Sequence, residues 1–200
     1  MCPRLACHLA EVRAAHPGYH ARPVPPFGAA RVHLLIVGLA PGMHGANRTG
    51  RPFTGDYAGI LLYETLHRYG YANQPAGADP ADGLELIDCR ITNAVKCLPP
   101  QNKPTPAEVK TCNGYLAREM ATLPEKSGIL ALGRIAHEAV LRAAGVKGTD
   151  YAFAHGALHA LPGGRMLFDS YHCSRYNTQT RRLTPAMFQQ VFEHIRRSLG

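Results

Sequence analysis

Residues 38–56, GLAPGMHGANRTGRPFTGD, contain five glycines and two prolines and hardly an aliphatic side chain. A loop of this length inside a compact domain is usually functional. Glycines let backbone N–H groups come close to a ligand. The segment has no Gly-Lys-Ser/Thr ending, so it is not a P-loop, and it is not a dinucleotide fingerprint either. Phe53 is its only aromatic residue and Asp56 closes it. Further along, Asn93 lies in Ile91-Thr92-Asn93-Ala94-Val95 at the end of an expected strand, and His172 stands in the polar block 170–184, SYHCSRYNTQTRRLT. An aromatic face, an amide, a carboxylate and an imidazole could together stack on, read and cleave a polar ring compound. Each also has a plain alternative. Phe53 would serve as an ordinary core side chain, Asn93 as a cap on local backbone, and Asp56 as the N-cap of the helix that follows.

The elements that must position these groups alternate short apolar runs with amphipathic ones, the pattern of an α/β protein. Strands are expected at 32–37, within 86–95, at 129–132 and at 166–170. Helices are expected at 57–69, from a capping box at Thr105-Pro106-Ala107-Glu108 to about Met120, from Gly133 to about Ala144, and from Thr184-Pro185 to the end. The first loop leaves the carboxyl end of a strand, where open α/β sheets place their ligand crevice. The 200 residues fit a single domain, 1–200, with no repeat or linker.

Lys and Arg outnumber Asp and Glu by 22 to 14, a net charge of +8. Such a surplus favours a polyanionic partner, nucleic acid ahead of a membrane surface. No apolar run approaches the roughly 20 residues that span a bilayer, and no signal-peptide core follows the N-terminus. The expected location is therefore the cytoplasm, where six cysteines serve as metal ligands or buried thiols rather than disulfides.

Three long blocks, in order, carry a family resemblance: the loop 38–56 preceded by RPVPPFG at 22–28, the block ITNAVKCLPPQNKP at 91–104, and the block 170–184. Together they resemble the uracil-DNA glycosylase superfamily, most closely its type 5 branch. The resemblance implies a three-layer α/β/α sandwich on a central, mostly parallel four-stranded sheet. It implies a monofunctional hydrolase, a DNA-repair enzyme that removes uracil and other deaminated bases, leaving an abasic site. A monomer acting on nucleoid DNA in a prokaryotic-type cell is expected. On this reading Gly38, Leu39, Ala40 and Gly42 border the base, Phe53 stacks on it, and Asn93 reads its edge. His172 donates to O2 of the departing base, and Ser174, Arg175 and Asn177 meet the minor groove. More familiar members of the superfamily have a polar residue where this chain, as is usual in the type 5 branch, has apolar Leu39, so Asp56 is expected to do the acid's work near C1′. Gly42 and Met43 stand where uracil-only relatives place a tyrosine, which implies a roomier pocket open to hypoxanthine and xanthine. His44 is the other histidine of interest, and Cys173 replaces a small apolar residue or proline.

The same resemblance implies a [4Fe-4S] cluster on four cysteines, an N-terminal C-x-x-C and two flanking a Pro-rich turn. Cys97 and Cys112 match the second pair and Cys2 the latter half of the first. The remaining ligand is expected before Met1, with Cys7 as an in-chain alternative and the absence of a cluster as a third case. On a continuous helix Cys2 and Cys7 would stand about 140° apart. Cys89 reads as a buried strand thiol. A competing reading from another class is a nucleic-acid-binding protein of the same fold that has lost catalysis, suggested by Leu39 and the missing cysteine.

Overall fold

The structure, a computed structural model, describes residues 2–200. Pro3 occupies the first helical position, where its missing N–H costs nothing, and opens α1, Pro3–Ala15. The chain then forms β1, Phe27–Gly28, and β2, Leu34–Gly38. The short turn α2, Ala46–Thr49, lies within the glycine-rich loop, and Asp56 caps α3, Tyr57–Arg68. A long excursion leads to β3, Cys89–Asn93, and the capping box at Thr105 opens α4, Pro106–Ala121. Next come β4, Gly128–Leu132, and α5, Arg134–Ala143. The hairpin of β5, Leu158–Leu161, and β6, Arg165–Ser170, is followed by the short α6, Arg175–Gln179, and by α7, Pro185–Leu199.

The sheet has six strands in the order β1-β3-β2-β4-β6-β5. The expected four-stranded parallel sheet is its centre, β3-β2-β4-β6, and a short antiparallel strand borders it on each side. The four-strand expectation is thus extended to six. β1 has only two residues and β5 is half exposed, so neither shows the buried apolar run that marks the central strands. Those central strands are buried on both faces, the usual state of parallel sheets between helices.

Alternation along the strands sorts the core into two layers. Leu34, Ile36, Ile91, Leu130, Leu132 and Phe168 face α3 and α7, meeting Leu62, Leu66, Phe188 and Phe192. Leu35, Val37, Ile129, Ala131 and Leu167 face α4 and α5, meeting Leu116, Met120, Ala136 and Val140. That is the three-layer sandwich the resemblance implied. Separately, α1 lies over the Pro-rich turn after β3: Leu9 and Val12 pack on Ala21 and Leu98, and Leu5 packs on Val95 and Cys112. No helix among the described residues is long and apolar enough to cross a membrane.

Candidate active site

From β2 the chain steps to β3 on one side and only later to β4 on the other. The carboxyl ends of β2 and β4 therefore form the topological switch point, the place where an open α/β sheet leaves a crevice. A cleft of about 590 Å³ opens there. Leu39, Ala40, Gly42, Phe53, Asp56, Asn93, His172, Ser174 and Arg175 all line it, drawn from three separated segments of the chain.

Two glycines make the close packing possible. A Cβ on Gly38 would stand 2.5 Å from Asn93 Oδ1 and 2.8 Å from the Phe53 ring. Gly38 therefore lies beneath the lining rather than in it, and lets ring and amide converge. A Cβ on Gly45 would stand 2.6 Å from Asp56 Oδ2. At Gly42 nothing lies nearer than Asp56 Oδ2 at 3.8 Å, so that wall is open.

Asp56 is both the helix cap the sequence offered and a residue at the cleft. Its Oδ1 accepts the Gly59 N–H at 3.0 Å as the cap of α3, and the residue also lines the cleft. Burial raises its carboxyl pKa, against the lowering pull of the Gly59 and Ala58 N–H groups. Asn93 is buried and its carbonyl accepts Lys96 Nζ at 2.9 Å, which fixes the backbone from behind. Its side-chain amide is left to the cleft.

The His172 ring lies nearly parallel to Phe53, with centroids 5.8 Å apart. Its Nδ1 is buried without a partner among the described residues, which leaves Nε2 as the nitrogen open to the cleft. Burial lowers the imidazole pKa to about 4, so the ring is neutral at neutral pH. Asn177 does not line the cleft; its Nδ2 donates to the His172 carbonyl at 2.8 Å and steadies the turn. The segment from Ser174 onward, expected to meet the minor groove, is the cap and first turn of α6, with Ser174 Oγ accepting the Asn177 N–H. Just before the turn, buried Asp169 accepts from His137 at 2.8 Å and from His159 at 3.2 Å, two histidines that carried no motif in the sequence.

Sequence reasoning missed the wall supplied by β4 and α5: Leu132, Gly133, Arg134 and Ile135, together with Tyr57 and Asn102. Gly133, at φ +98°, caps α5 without a side-chain bond, so the first N–H groups of that helix remain free at the cleft. The strand end at Leu132 was visible in the sequence; its adjacency to β2 was not.

Residues 25–196 match the uracil DNA glycosylase superfamily. The chain belongs to that superfamily. All of it aligns with a type-5 uracil-DNA glycosylase of Thermus thermophilus at 48% identity, covering 93% of that relative. It is 45% identical to the type-5 enzyme of Mycobacterium bovis and 38% identical to that of Pyrobaculum aerophilum, again over its full length, covering 77% and 88% of them. The type 5 resemblance is borne out. A crystal structure of Pedobacter heparinus SMUG2 shares the fold, with a TM-score of 0.51 at 13% identity over 84% of this chain and 76% of that one.

Three of the cysteines that the type 5 resemblance implies as cluster ligands are neighbours in the fold. Cys2, Cys97 and Cys112 come together in one apolar nest with Leu5, Val95 and Val109. Burial raises the Cys97 thiol pKa to about 11, and the neighbouring Cys112 and Cys2 add to the rise. Crowded soft thiols of this kind suit iron–sulfur ligation. Cys7 is exposed on α1 and takes no part in the nest. The ligand expected before Met1 falls outside the described residues.

Proposed function

We propose that this protein hydrolyses the N-glycosidic bond of uracil in DNA, leaving an abasic site. The convergence of Phe53, Asn93, Asp56 and His172 on one cleft carries this reading. A stacked base is out of reach of any such group, so the nucleotide must swing out of the helix. Phe53 then offers a face for stacking, and the Asn93 amide pairs its donor and acceptor with O4 and N3–H of uracil.

As the C1′–N1 bond breaks, its electron pair passes to the base and negative charge grows on O2. A neutral His172 aims an Nε2–H at that oxygen, and a fixed donor of this kind stabilises the transition state more than the ground state. The free N–H groups at the start of α5 add positive potential on the same side. Positive charge grows on the sugar, and the Asp56 carboxylate, held by the Gly59 N–H, stabilises it and orients the water that adds to C1′. The water's proton leaves to that carboxylate or to solvent. The open wall at Gly42 extends the range to hypoxanthine and xanthine.

The partner is DNA, engaged by a monomer through Arg134 and Arg175 at the mouth of the cleft, in the cytoplasm beside the nucleoid. Cys2, Cys97 and Cys112 would hold three corners of a [4Fe-4S] cluster. When bound, the cluster supplies a cross-link between α1 and the turn after β3; hydrolysis draws on no redox step. The deciding experiment is incubation with a uracil-containing oligonucleotide followed by alkaline cleavage at abasic sites. Strand breaks are expected. Folded protein that binds the oligonucleotide and yields none would leave only the binding reading.

A further inference from the structure

Phe53 sits at φ +55°, a left-handed conformation that bulky residues rarely adopt without support from their surroundings. Part of that support comes from a segment that no family motif singled out. Residues 69–88, between α3 and β3, fold back on themselves through an antiparallel bridge of Ala72 with Leu86 and a hydrogen bond from Ile87 N to Tyr71 O. Their tip delivers Asp82 to Arg51, two residues before Phe53. The Arg51 guanidinium donates from Nη1 to Asp82 Oδ1 at 2.9 Å and from Nη2 to Oδ2 at 2.8 Å. Its Nε donates to Thr54 Oγ1 at 2.7 Å, and its flat face lies 5.0 Å from the centre of the Phe27 ring. The remaining lone pairs of Asp82 accept the N–H groups of Leu84, Ala78 and Asp79. Arg51 and Thr54 are buried, and Tyr63 fixes Pro52 between them by donating to its carbonyl at 2.6 Å. Phe53 is thus pinned on both sides, at residues 51–52 and at 54, while neither Arg51 nor Asp82 lines the cleft.

We infer that Arg51 and Asp82 are positioning residues for the base-stacking face: the loop between α3 and β3 clamps the turn that holds the Phe53 ring against His172. A planar bidentate pair suits this task, because it fixes orientation as well as distance. The inference rests on the stacking role proposed for Phe53, and a double-mutant cycle separates the two.

Single-turnover uracil release, with enzyme in excess over a uracil oligonucleotide, is measured for the wild type, Asp82→Asn, Phe53→Ala and the double variant. Asp82→Asn is expected to slow the saturated rate by about tenfold when Phe53 is present and by less than about twofold when it is not, the non-additivity of residues acting as one unit. Affinity for the same oligonucleotide without uracil should stay unchanged. A merely structural role for Asp82 gives the same factor in both backgrounds, and that result overturns the clamp. If Phe53→Ala alone releases uracil at the wild-type rate, the stacking reading fails instead. Arg51→Lys keeps the charge but loses the fork; it should reproduce the Asp82→Asn pattern, and it carries the test should Asp82→Asn not fold.

Discussion

In the proposed mechanism one carboxylate, Asp56, serves the fold and the reaction together. Oδ1 caps α3 while the rest of the group faces the cleft, and two substitutions separate the roles. Asparagine caps a helix as well as aspartate does, so Asp56→Asn should melt like the wild type in thermal denaturation, yet lose about a hundredfold in single-turnover uracil release. Asp56→Ala should lose that activity and about 1 kcal/mol of stability besides. His172 makes a prediction in pH. Its pKa is near 4 when folded and near 6.5 when unfolded. Between these values the unfolded chain therefore binds more protons, and stability rises with pH. The contribution is of the order of 3 kcal/mol, present above pH 6.5 and lost as pH falls towards 4. Denaturant titrations at pH 5 and pH 7 should show this slope, and His172→Gln should flatten it. Asn93→Ala should slow uracil release more than hypoxanthine release in paired assays, because a purine carries its matching O6 and N1–H farther from the glycosidic bond than uracil carries O4 and N3–H.

At the level of elements, the N-terminal helix is tied to the helix carrying Cys112 by more than apolar contact. Glu108 completes the capping box of α4 by accepting the Thr105 N–H, and with the same carboxylate it accepts Arg4 from α1 at 2.7 and 2.8 Å. Arg4 is well exposed, so the ion pair itself adds little; the capping box contributes about 1 kcal/mol. Its placement matters more, because it registers α1 so that Cys2 meets Cys97 and Cys112. If those three thiols hold a cluster, protein purified without air should contain iron and acid-labile sulfide. Cys112→Ser should lose both, together with the thiolate-to-iron absorption bands. Glu108→Ala should lower iron content in part. Equal iron in wild type and Cys112→Ser would exclude this site.

For the whole molecule, the +8 charge acts through counterion release, so DNA affinity should fall steeply with salt. Arg134 and Arg175, which both line the cleft, are proposed to belong to that effect. Replacing either with alanine should weaken binding to all sequences alike and reduce the slope of log affinity against log salt by about one, measured by fluorescence anisotropy between low and moderate salt. A slope unchanged in both variants would place the phosphate path elsewhere.

The central strands, the caps at Asp56, Thr105 and Thr184, and the glycine-rich loop were legible in the residues, because burial period, capping chemistry and turn composition are local properties of a chain. The candidate side chains Phe53, Asp56, Asn93 and His172 were legible through the motifs around them. Strand order was not, and strand order creates the cleft: only when β4 lies beside β2 do Gly133 and Arg134 become its wall. The neutral state of His172, the Arg51–Asp82 clamp and the Asp169 histidine pair depend in the same way on partners many residues apart. Local patterning selects the elements; long-range packing selects which of them meet, and with that the electrostatics of the site.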